Sequence, residues 1–208
     1  MEKSRRLHSW RSLSMNDDPW LERWLPSIRQ RARGGAFELG CGEGEDTRTL
    51  VREVPRVVAL DISADALALA RTRAPAAEFH RQDLREPFPI PDGSAGVVVA
   101  SLSLHYFPWP ETVDVVGRIH RVLEPNGVLL CRLNSTNDHN FGASGHKAIE
   151  QNYYWVNGRR KRFFDQTSVL QLFSVGWRLD NVEELTTPKY GKPKVLWEVV
   201  AQRVQSFS

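Results

Sequence analysis

The fold predicted for this chain of 208 residues depends most on one stretch, Gly35-Ala36-Phe37-Glu38-Leu39-Gly40-Cys41-Gly42-Glu43-Gly44-Glu45-Asp46. Its apolar part, Ala36–Leu39, has the length and composition of a short buried strand. The glycines that follow permit a tight turn and a close approach of the backbone to a ligand. The acidic residues then open a helix, predicted over Asp46–Glu53, where negative charge is favourable. The stretch therefore predicts a strand, a binding loop and a helix, in that order.

The alternation of short strands and helices continues as far as residue 133. Segments between the apolar runs are rich in helix formers, and Ser63 is a cap for the helix Ala64–Arg73. The further predicted strands are Val57–Leu60, Ala77–His80, Val97–Ala100 and Val128–Leu133. Such alternation forms parallel βαβ units, so we predict an α/β fold with a doubly wound, mostly parallel sheet. Alternating residues over Trp177–Leu185 and Val195–Val204 predict a C-terminal antiparallel hairpin.

The predicted domain organisation follows from differences in amino-acid composition along the chain. Residues 1–18 are basic and are predicted to be a flexible arm, whereas residues 19–208 are predicted to form a single domain. The domain opens with a helix over Trp20–Arg31, because its apolar residues recur on one helical face. The polar and aromatic segment at about 134–164 is predicted to be an insertion that covers the substrate, with one short helix around Ala148.

Composition excludes several classes of protein. Apolar residues make up 41% of the chain, which is enough to build a core and too much for a disordered chain. No apolar run approaches the roughly 18 residues of a membrane helix, and the basic start lacks the apolar stretch of a secretory signal. We therefore expect a cytoplasmic protein with no membrane partner. Cysteine and histidine spacing offers no metal site, and we expect Cys41 and Cys131 to be free thiols.

The charge of the glycine loop distinguishes between ligands. The glycine loop and the residues around it contain four acidic residues and no basic residue before Arg48. The acidic residues are Glu38, Glu43, Glu45 and Asp46. Two unit charges about 5 Å apart interact by roughly 3 kcal/mol at an effective dielectric near 20, so the loop disfavours a doubly anionic dinucleotide. A dinucleotide fingerprint also needs Gly or Ala where this chain has Glu45. A cationic nucleoside, S-adenosylmethionine, is favoured; the alternative is that the acids only cap the next helix.

Two further carboxylates fit a bound nucleoside. Asp61 ends the second strand, where a carboxylate can accept both hydroxyls of a ribose. Asp83 follows the third strand and is placed to accept the exocyclic amine of adenine, while Ile62 and Leu84 cover the ring. The alternatives are a helix cap for Asp61 and a solvent-facing turn for Asp83.

The sequence resembles the class I S-adenosylmethionine-dependent methyltransferases. The matching parts are Glu38–Gly44, Asp61, Asp83, Val97–Tyr106 and Ile119–Leu130. The resemblance implies a Rossmann-like seven-stranded sheet with a reversed final hairpin, S-adenosylmethionine as cofactor and a small molecule as methyl acceptor. The chain is similar to the tellurite-resistance and ubiquinone-biosynthesis types. The implied cofactor-binding residues are Glu38 (near the methionine end), Gly40, Cys41, Gly42, Asp61, Ile62, Asp83, Leu84 and Ser101.

The segment Ser101–Phe107, after the fourth strand, carries the candidates for catalysis. It lacks the Asn/Asp-Pro-Pro-aromatic motif that methylases of base or glutamine amino groups have at this place. His105 and Tyr106 are the nearest polar candidates, because an imidazole can take a proton from an acceptor hydroxyl or amine. The alternative for His105 is packing on adenine or capping the next helix. Methyl transfer depends mainly on aligning donor and acceptor, so no catalytic residue is assigned.

The variable parts of the chain are expected to build the acceptor pocket. Candidates in the insertion are Asn134, His139, Tyr153, Tyr154 and Arg162, which suit a planar or anionic small molecule. An alternative is a nucleic-acid or protein methyltransferase that contacts phosphates with the basic arm and residues 158–162. Another is a protein that binds S-adenosylmethionine without catalysis. We expect no appended binding domain and hence no nucleic-acid partner, and the sequence leaves the oligomeric state open.

Overall fold

A seven-stranded sheet forms the centre of the molecule. The computed structural model describes residues 19–188 and 191–204, so the arm predicted for residues 1–18 lies outside the described residues. The strands of this sheet are β1 (Ala36–Leu39), β2 (Val57–Asp61), β3 (Glu78–Arg81), β4 (Ala95–Ser101), β5 (Leu123–Asn134), β9 (Trp177–Thr187) and β10 (Lys194–Arg203). Their order across the sheet is β3-β2-β1-β4-β5-β10-β9. All neighbours from β3 to β5 are parallel, and β10 pairs antiparallel with both β5 and β9. The predicted sheet and its C-terminal antiparallel pair are confirmed.

Helices cover both faces of this sheet. They are α1 (Leu25–Arg31), α2 (Glu45–Glu53), α3 (Ala64–Arg73), α4 (Trp109–Val122) and α5 (Gln166–Leu172). Side chains alternate along β4: Val98 packs with Ile119 of α4 in one apolar cluster, whereas Val97 packs in the opposite cluster. That second cluster includes Ile28 of α1 and Leu50 of α2. An apolar core on each face of the sheet therefore holds the strands in place, and the loops extend from the strand ends.

The strand order reverses between β1 and β4, in the middle of the sheet. The chain first moves outward from β1 through β2 to β3 and then returns to the other side of β1 as β4. Loops that leave the carboxyl ends of β1 and β4 therefore turn away from each other. In open α/β sheets this opening is where ligands bind, so the fold itself places a crevice beside the glycine loop.

The segment before β1 forms two short helices instead of the single helix predicted for Trp20–Arg31. A 3₁₀ helix spans Trp20–Trp24, and α1 follows it directly. Pro26 lies in the first turn of α1, and a proline has no N–H to donate to the carbonyl of Glu22. The helix is therefore interrupted and begins again at the proline.

The insertion forms a three-stranded antiparallel sheet, and the short helix predicted around Ala148 is wrong. The strands of this inserted sheet are β6 (Lys147–Glu150), β7 (Tyr153–Val156) and β8 (Arg159–Arg162). Asn157 and Gly158 join β7 to β8 with φ of +49° and +77°, the left-handed pair that a type I′ hairpin turn requires. Hairpin pairing outweighs the modest helix propensity of the residues around Ala148.

The two cysteines lie on different strands of the main sheet. Cys41 follows β1, Cys131 lies in β5, and β4 runs between these two strands. Both are free thiols. Burial raises the pKa of both thiols above the usual range. The prediction that they would be free is confirmed.

Candidate functional site

A pocket of about 550 Å³ opens at the carboxyl ends of β1, β2 and β4. Its walls come from the glycine loop, the end of β2, the turn after β3, the segment after β4 and the inserted sheet. The residues that line it include Gly40, Gly42, Asp61, Ile62, Asp83, Leu84, Arg85, Leu102, Ser103, Tyr106, Arg159 and Arg160. The pocket lies in the crevice that the reversal of strand order creates.

The glycine loop forms the floor of this pocket. Gly40 has a φ of +70°, and a Cβ placed on it would lie 2.5 Å from the Cβ of Ser103. No L side chain fits there without moving the segment after β4. The N–H groups of Gly40 and Cys41 both donate to the carbonyl of Leu60, at 2.8 and 3.0 Å. The loop is therefore tied to β2, and Gly42 remains open above it, since a Cβ placed on Gly42 would meet no heavy atom within 4 Å.

Asp61 organises the loop from the end of β2. One carboxylate oxygen accepts the N–H of Gly42 at 2.9 Å, and the other accepts the N–H of Ser63 at 2.9 Å. Ser63 in turn caps α3, since its hydroxyl accepts the N–H of Ala66. Each carboxylate oxygen has a second lone pair, so Asp61 can still accept two hydroxyl groups from the pocket side. The carboxylate thus has both a structural contact and free capacity to bind.

Asp83 and its neighbours form a second wall. Its carboxylate accepts hydrogen bonds from Nε and Nη2 of Arg85, at 3.0 and 2.6 Å. These hydrogen bonds lower the pKa of Asp83, so it is an anion at neutral pH. Leu84 is buried, whereas Ile62 is 62% exposed although it is apolar. Ile62 and Leu84 thus present apolar surface within one pocket, as a planar ring requires.

Glu38 lies behind the loop, outside the pocket wall. It is 3% exposed, and the hydroxyl of Thr47 donates to its Oε2 at 2.6 Å. Burial raises the pKa of Glu38 well above its usual range, and the charges of Asp46 and Asp61 raise it further. Two other predicted cofactor residues, Cys41 and Ser101, also lie outside the wall; the hydroxyl of Ser101 accepts from Arg132 at 3.0 Å.

Replacing Glu38 by glutamine should stabilise the protein at neutral pH. When the folded-state pKa of a carboxyl is raised, the unfolded chain loses the proton first, so the folded state is progressively destabilised as pH rises from the unfolded-state pKa towards the folded-state pKa. Glutamine keeps an acceptor for Thr47 without the charge. We expect a higher Tm for Glu38→Gln at pH 7.5. The gain should vanish near pH 4, because the carboxyl of the unfolded chain takes up its proton at a pKa of roughly 4.3. An equal Tm difference at both pH values would contradict this account.

The segment after β4 carries strain and unpaired polar atoms. Leu102 lines the pocket with a φ of +54°, which is costly for a branched side chain. In the described part of the chain, the Ser103 hydroxyl and Nδ1 of His105 are buried and have no hydrogen-bond partner. Ser103 and Tyr106 line the pocket, and His105 lies beneath Tyr106 with ring centroids 4.1 Å apart. Burial lowers the pKa of His105 well below its usual range, so its ring is neutral.

Of the five predicted acceptor residues, none lines this pocket. Tyr153 donates to the carbonyl of Tyr106 at 2.9 Å, and Arg162 donates to the carbonyl of Phe107 at 3.1 Å. Both therefore fasten the inserted sheet to the segment after β4. The other three lie elsewhere: Asn134 accepts from Lys194, His139 is exposed beside Ser144, and Tyr154 packs on Phe163. None of the five lies in the wall of this pocket, and their role in binding an acceptor stays a prediction.

Sequence reasoning missed four of these lining residues, namely Arg85, Ser103, Arg159 and Arg160, as parts of this pocket. The two arginines of β8 were visible only as part of a basic run. The Asn157-Gly158 pair was the available signal, because it predicts a hairpin between two strands and so fixes where β8 begins. Ser103 had no signal in the sequence.

Comparison with known proteins agrees with this geometry. A family model described as a methyltransferase domain matches residues 36–127. A trans-aconitate 2-methyltransferase of Paracidovorax citrulli is 36% identical over 111 residues, which are 52% of this chain and 42% of that protein. The chain thus spans less than half the length of the curated relatives it matches.

Solved structures share the fold at low sequence identity. An S-adenosylmethionine-dependent methyltransferase from Mesorhizobium loti has a TM-score of 0.70 at 20% identity, covering 91% of this chain and 100% of that one. The 1,6-didemethyltoxoflavin-N1-methyltransferase of Burkholderia thailandensis, solved with 1,6-didemethyltoxoflavin and S-adenosylhomocysteine, has a TM-score of 0.65 at 16% identity. It covers 82% of this chain and 71% of its own.

Metal ligands and membrane spans also bear on the site. Residues 19–188 and 191–204 contain no group of three or more His, Cys, Asp or Glu side chains placed to hold a metal ion. Over the same ranges, none of the helices has the length and apolar character needed to span a membrane.

Proposed function

We propose that this chain is a class I S-adenosylmethionine-dependent methyltransferase and transfers a methyl group from S-adenosylmethionine to a small molecule. The observation that carries the proposal is the pocket, which joins the glycine loop to Asp61, Asp83 and an exposed Ile62. We further propose that the protein works in the cytoplasm.

The pocket residues fit this cofactor. Asp61 keeps lone pairs for the two ribose hydroxyls while it holds Gly42. Asp83 is held as an anion by Arg85 and can accept the adenine amine, and Ile62 offers an apolar face for the ring. Gly40 and Gly42 leave space for close approach. The predicted place of Glu38 near the methionine end of the cofactor stays a prediction, because Glu38 is buried behind the loop.

When bound, S-adenosylmethionine would supply an activated methyl group, whose transfer would leave the C–S electron pair on sulfur and release any acceptor proton to water. The protein residues mainly position the acceptor and exclude water, since proximity supplies most of the rate. Ser103 and Tyr106 line the pocket, so they are candidates to touch the acceptor. His105 is buried beneath Tyr106, and we assign it a positioning role.

A small molecule fits better than a nucleic acid as the acceptor. Within the basic run of residues 158–162, Arg162 is 4% exposed and binds main-chain carbonyls, so the run is not a continuous track for phosphates. The relatives named trans-aconitate 2-methyltransferase also point, by their name, to a small acceptor.

Calorimetry with purified protein tests the cofactor assignment. We expect S-adenosylmethionine and S-adenosylhomocysteine to bind, and NAD to bind at least about tenfold more weakly, because this chain has Glu45 where a dinucleotide fingerprint needs Gly or Ala. Adenosine, which shares only the nucleoside, is the control and should have intermediate affinity. Tighter binding of NAD than of S-adenosylmethionine would contradict the proposal.

A further inference from the structure

The charges that line the pocket do not balance. Two aspartates, Asp61 and Asp83, face three arginines, Arg85, Arg159 and Arg160. Arg85 is paired with Asp83 at 2.6 Å. Among the described residues, Arg159 and Arg160 have neither a carboxylate within ion-pair distance nor a hydrogen-bond acceptor for their side chains. Binding S-adenosylmethionine, which carries a net positive charge, would add to this excess of positive charge.

The two arginines are held at the pocket by a fixed strand. Asn157 and Gly158 form the tight turn that begins β8, and Arg159 pairs with Val156 directly after it. At the other end of β8, Arg162 is anchored to the carbonyl of Phe107 and lies 4.9 Å from the Tyr153 ring. Both arginines are exposed, and both line the pocket wall from this fixed strand. Free arginines on a rigid edge are suited to bind carboxylate or phosphate oxygens.

We propose that Arg159 and Arg160 bind an oxyanion group of the methyl acceptor, so that the acceptor is an anionic small molecule. This inference rests on the proposed methyl transfer in the same pocket. Carboxylates and phosphates share the chemistry that a guanidinium recognises, and either would restore charge balance once the cationic donor is bound. The role is one of binding and specificity, which predicts an effect on KM rather than on kcat.

Nearby residues support an acceptor subsite rather than a second cofactor contact. Arg159 and Arg160 come from the insertion, which follows the part matched by the methyltransferase domain model, residues 36–127. The inserted sheet is fastened to the segment after β4 through Tyr153 and Tyr106. It therefore closes the pocket on the side of Ser103, where a buried hydroxyl still lacks a partner among the described residues.

Fractionated metabolite extract tests the proposal. S-adenosylmethionine carrying a labelled methyl group is incubated with the full chain and a cell extract that has been ultrafiltered and separated on an anion exchanger at neutral pH. The RNA and protein held back by the filter are incubated in parallel. We expect label to enter molecules from the retained fraction. Treatment of that fraction with a phosphatase before the assay distinguishes the two sources: the acceptor is lost if it is a phosphate ester and survives if it is a carboxylate.

Variants then test the arginines. We expect Arg159→Ala/Arg160→Ala to raise KM for the retained acceptor by about tenfold or more, the loss of at least one charge-assisted hydrogen bond, with kcat nearly unchanged. Lysine at both positions should restore part of the loss. The matched control is Arg52→Ala, an exposed arginine of α2 away from the pocket. S-adenosylhomocysteine affinity and Tm should match the parent protein in all variants.

Several results would overturn the proposal. Label that enters only molecules from the unretained fraction, or only the RNA and protein removed by ultrafiltration, excludes a small anionic acceptor. An unchanged KM in the double alanine variant removes the arginines from recognition, and a parallel loss of S-adenosylhomocysteine affinity assigns them to the cofactor. Labelling of no fraction by a protein that binds S-adenosylmethionine contradicts the proposed methyl transfer itself, a failure that is distinct from the others.

Discussion

Replacing Asp138 by alanine should destabilise the protein by about 3–5 kcal/mol, the cost of leaving one partner of a buried ion pair uncompensated. Asp138 is fully buried, and its Oδ2 lies 2.7 Å from Nζ of Lys194, whose side chain is 8% exposed. The other carboxylate oxygen accepts the N–H of Val195 at 3.1 Å. One side chain therefore ties the loop after β5 to the start of β10, and alanine breaks both contacts.

The stability of Asp138→Ala should depend on pH, because the variant changes the pKa of Lys194. Burial already lowers the pKa of Lys194, and Asp138 opposes that shift by hydrogen bond and by charge. Without Asp138 the folded-state pKa of the ammonium should fall further. The unfolded chain then binds more protons than the folded one, so the stability of Asp138→Ala should rise with pH towards the pKa of about 10.4 that a lysine has in the unfolded chain.

Urea unfolding of matched variants measures the effect. The double variant Asp138→Ala/Lys194→Met should recover much of the lost stability, because neither charge of the buried pair remains. Glu78→Ala is the control, since Glu78 pairs with Arg56 at 3.3 Å and their side chains are 51% and 62% exposed; its loss should cost at most about 1 kcal/mol. A cost for Asp138→Ala no larger than that of the control would show that the buried pair contributes little.

The fold could be predicted from the sequence because its signals are local. Strand length, glycines and caps recur in the order that parallel βαβ units need, and Ser63 caps α3 as expected. The antiparallel end followed from two alternating segments. The carboxylates Asp61 and Asp83 were found in the same way, since strand ends meet at one edge of a parallel sheet.

The insertion could not be predicted as well, because pairing between its strands decides its structure. Residues around Ala148 are compatible with a helix, and only their pairing with β7 makes them a strand. Tyr153 and Arg162 have the composition of a binding pocket, yet the register of β7 with β8 turns them towards Tyr106 and Phe107. The sequence alone does not distinguish an aromatic or basic residue that anchors the inserted sheet from one that binds a ligand.

The assignment of the pocket to a nucleoside depends most on Asp61, and Asp61→Ala should raise the dissociation constant of S-adenosylhomocysteine at least about tenfold. Two charge-assisted hydrogen bonds to ribose hydroxyls are worth roughly 1.5–3 kcal/mol each, and about 1.4 kcal/mol corresponds to a factor of ten. The same carboxylate accepts the N–H of Gly42, so its loss also frees the glycine loop. Both effects weaken binding.

The ligand-free protein separates these two effects. Alanine at position 61 leaves the N–H groups of Gly42 and Ser63 without this acceptor, which should cost about 1–2 kcal/mol of stability in partly exposed positions. Asp61→Asn keeps one acceptor oxygen, and we expect it to recover part of the stability while binding remains weak, because the charge is gone. Calorimetry and apo Tm are measured on the same preparations.

Two neighbours serve as controls for this comparison. Ser63 lines the pocket, but Ser63→Ala keeps the main-chain N–H that binds Asp61 and removes only the cap of α3 at Ala66, so it should lower the apo Tm with little change in affinity. Asp65→Ala removes an exposed acid from the first turn of the same helix and should change neither measurement appreciably. If Asp61→Ala behaves like Ser63→Ala, with a lower Tm and normal affinity, then Asp61 only stabilises the turn. The nucleoside site would in that case depend on the glycine loop, Ile62 and Asp83 alone.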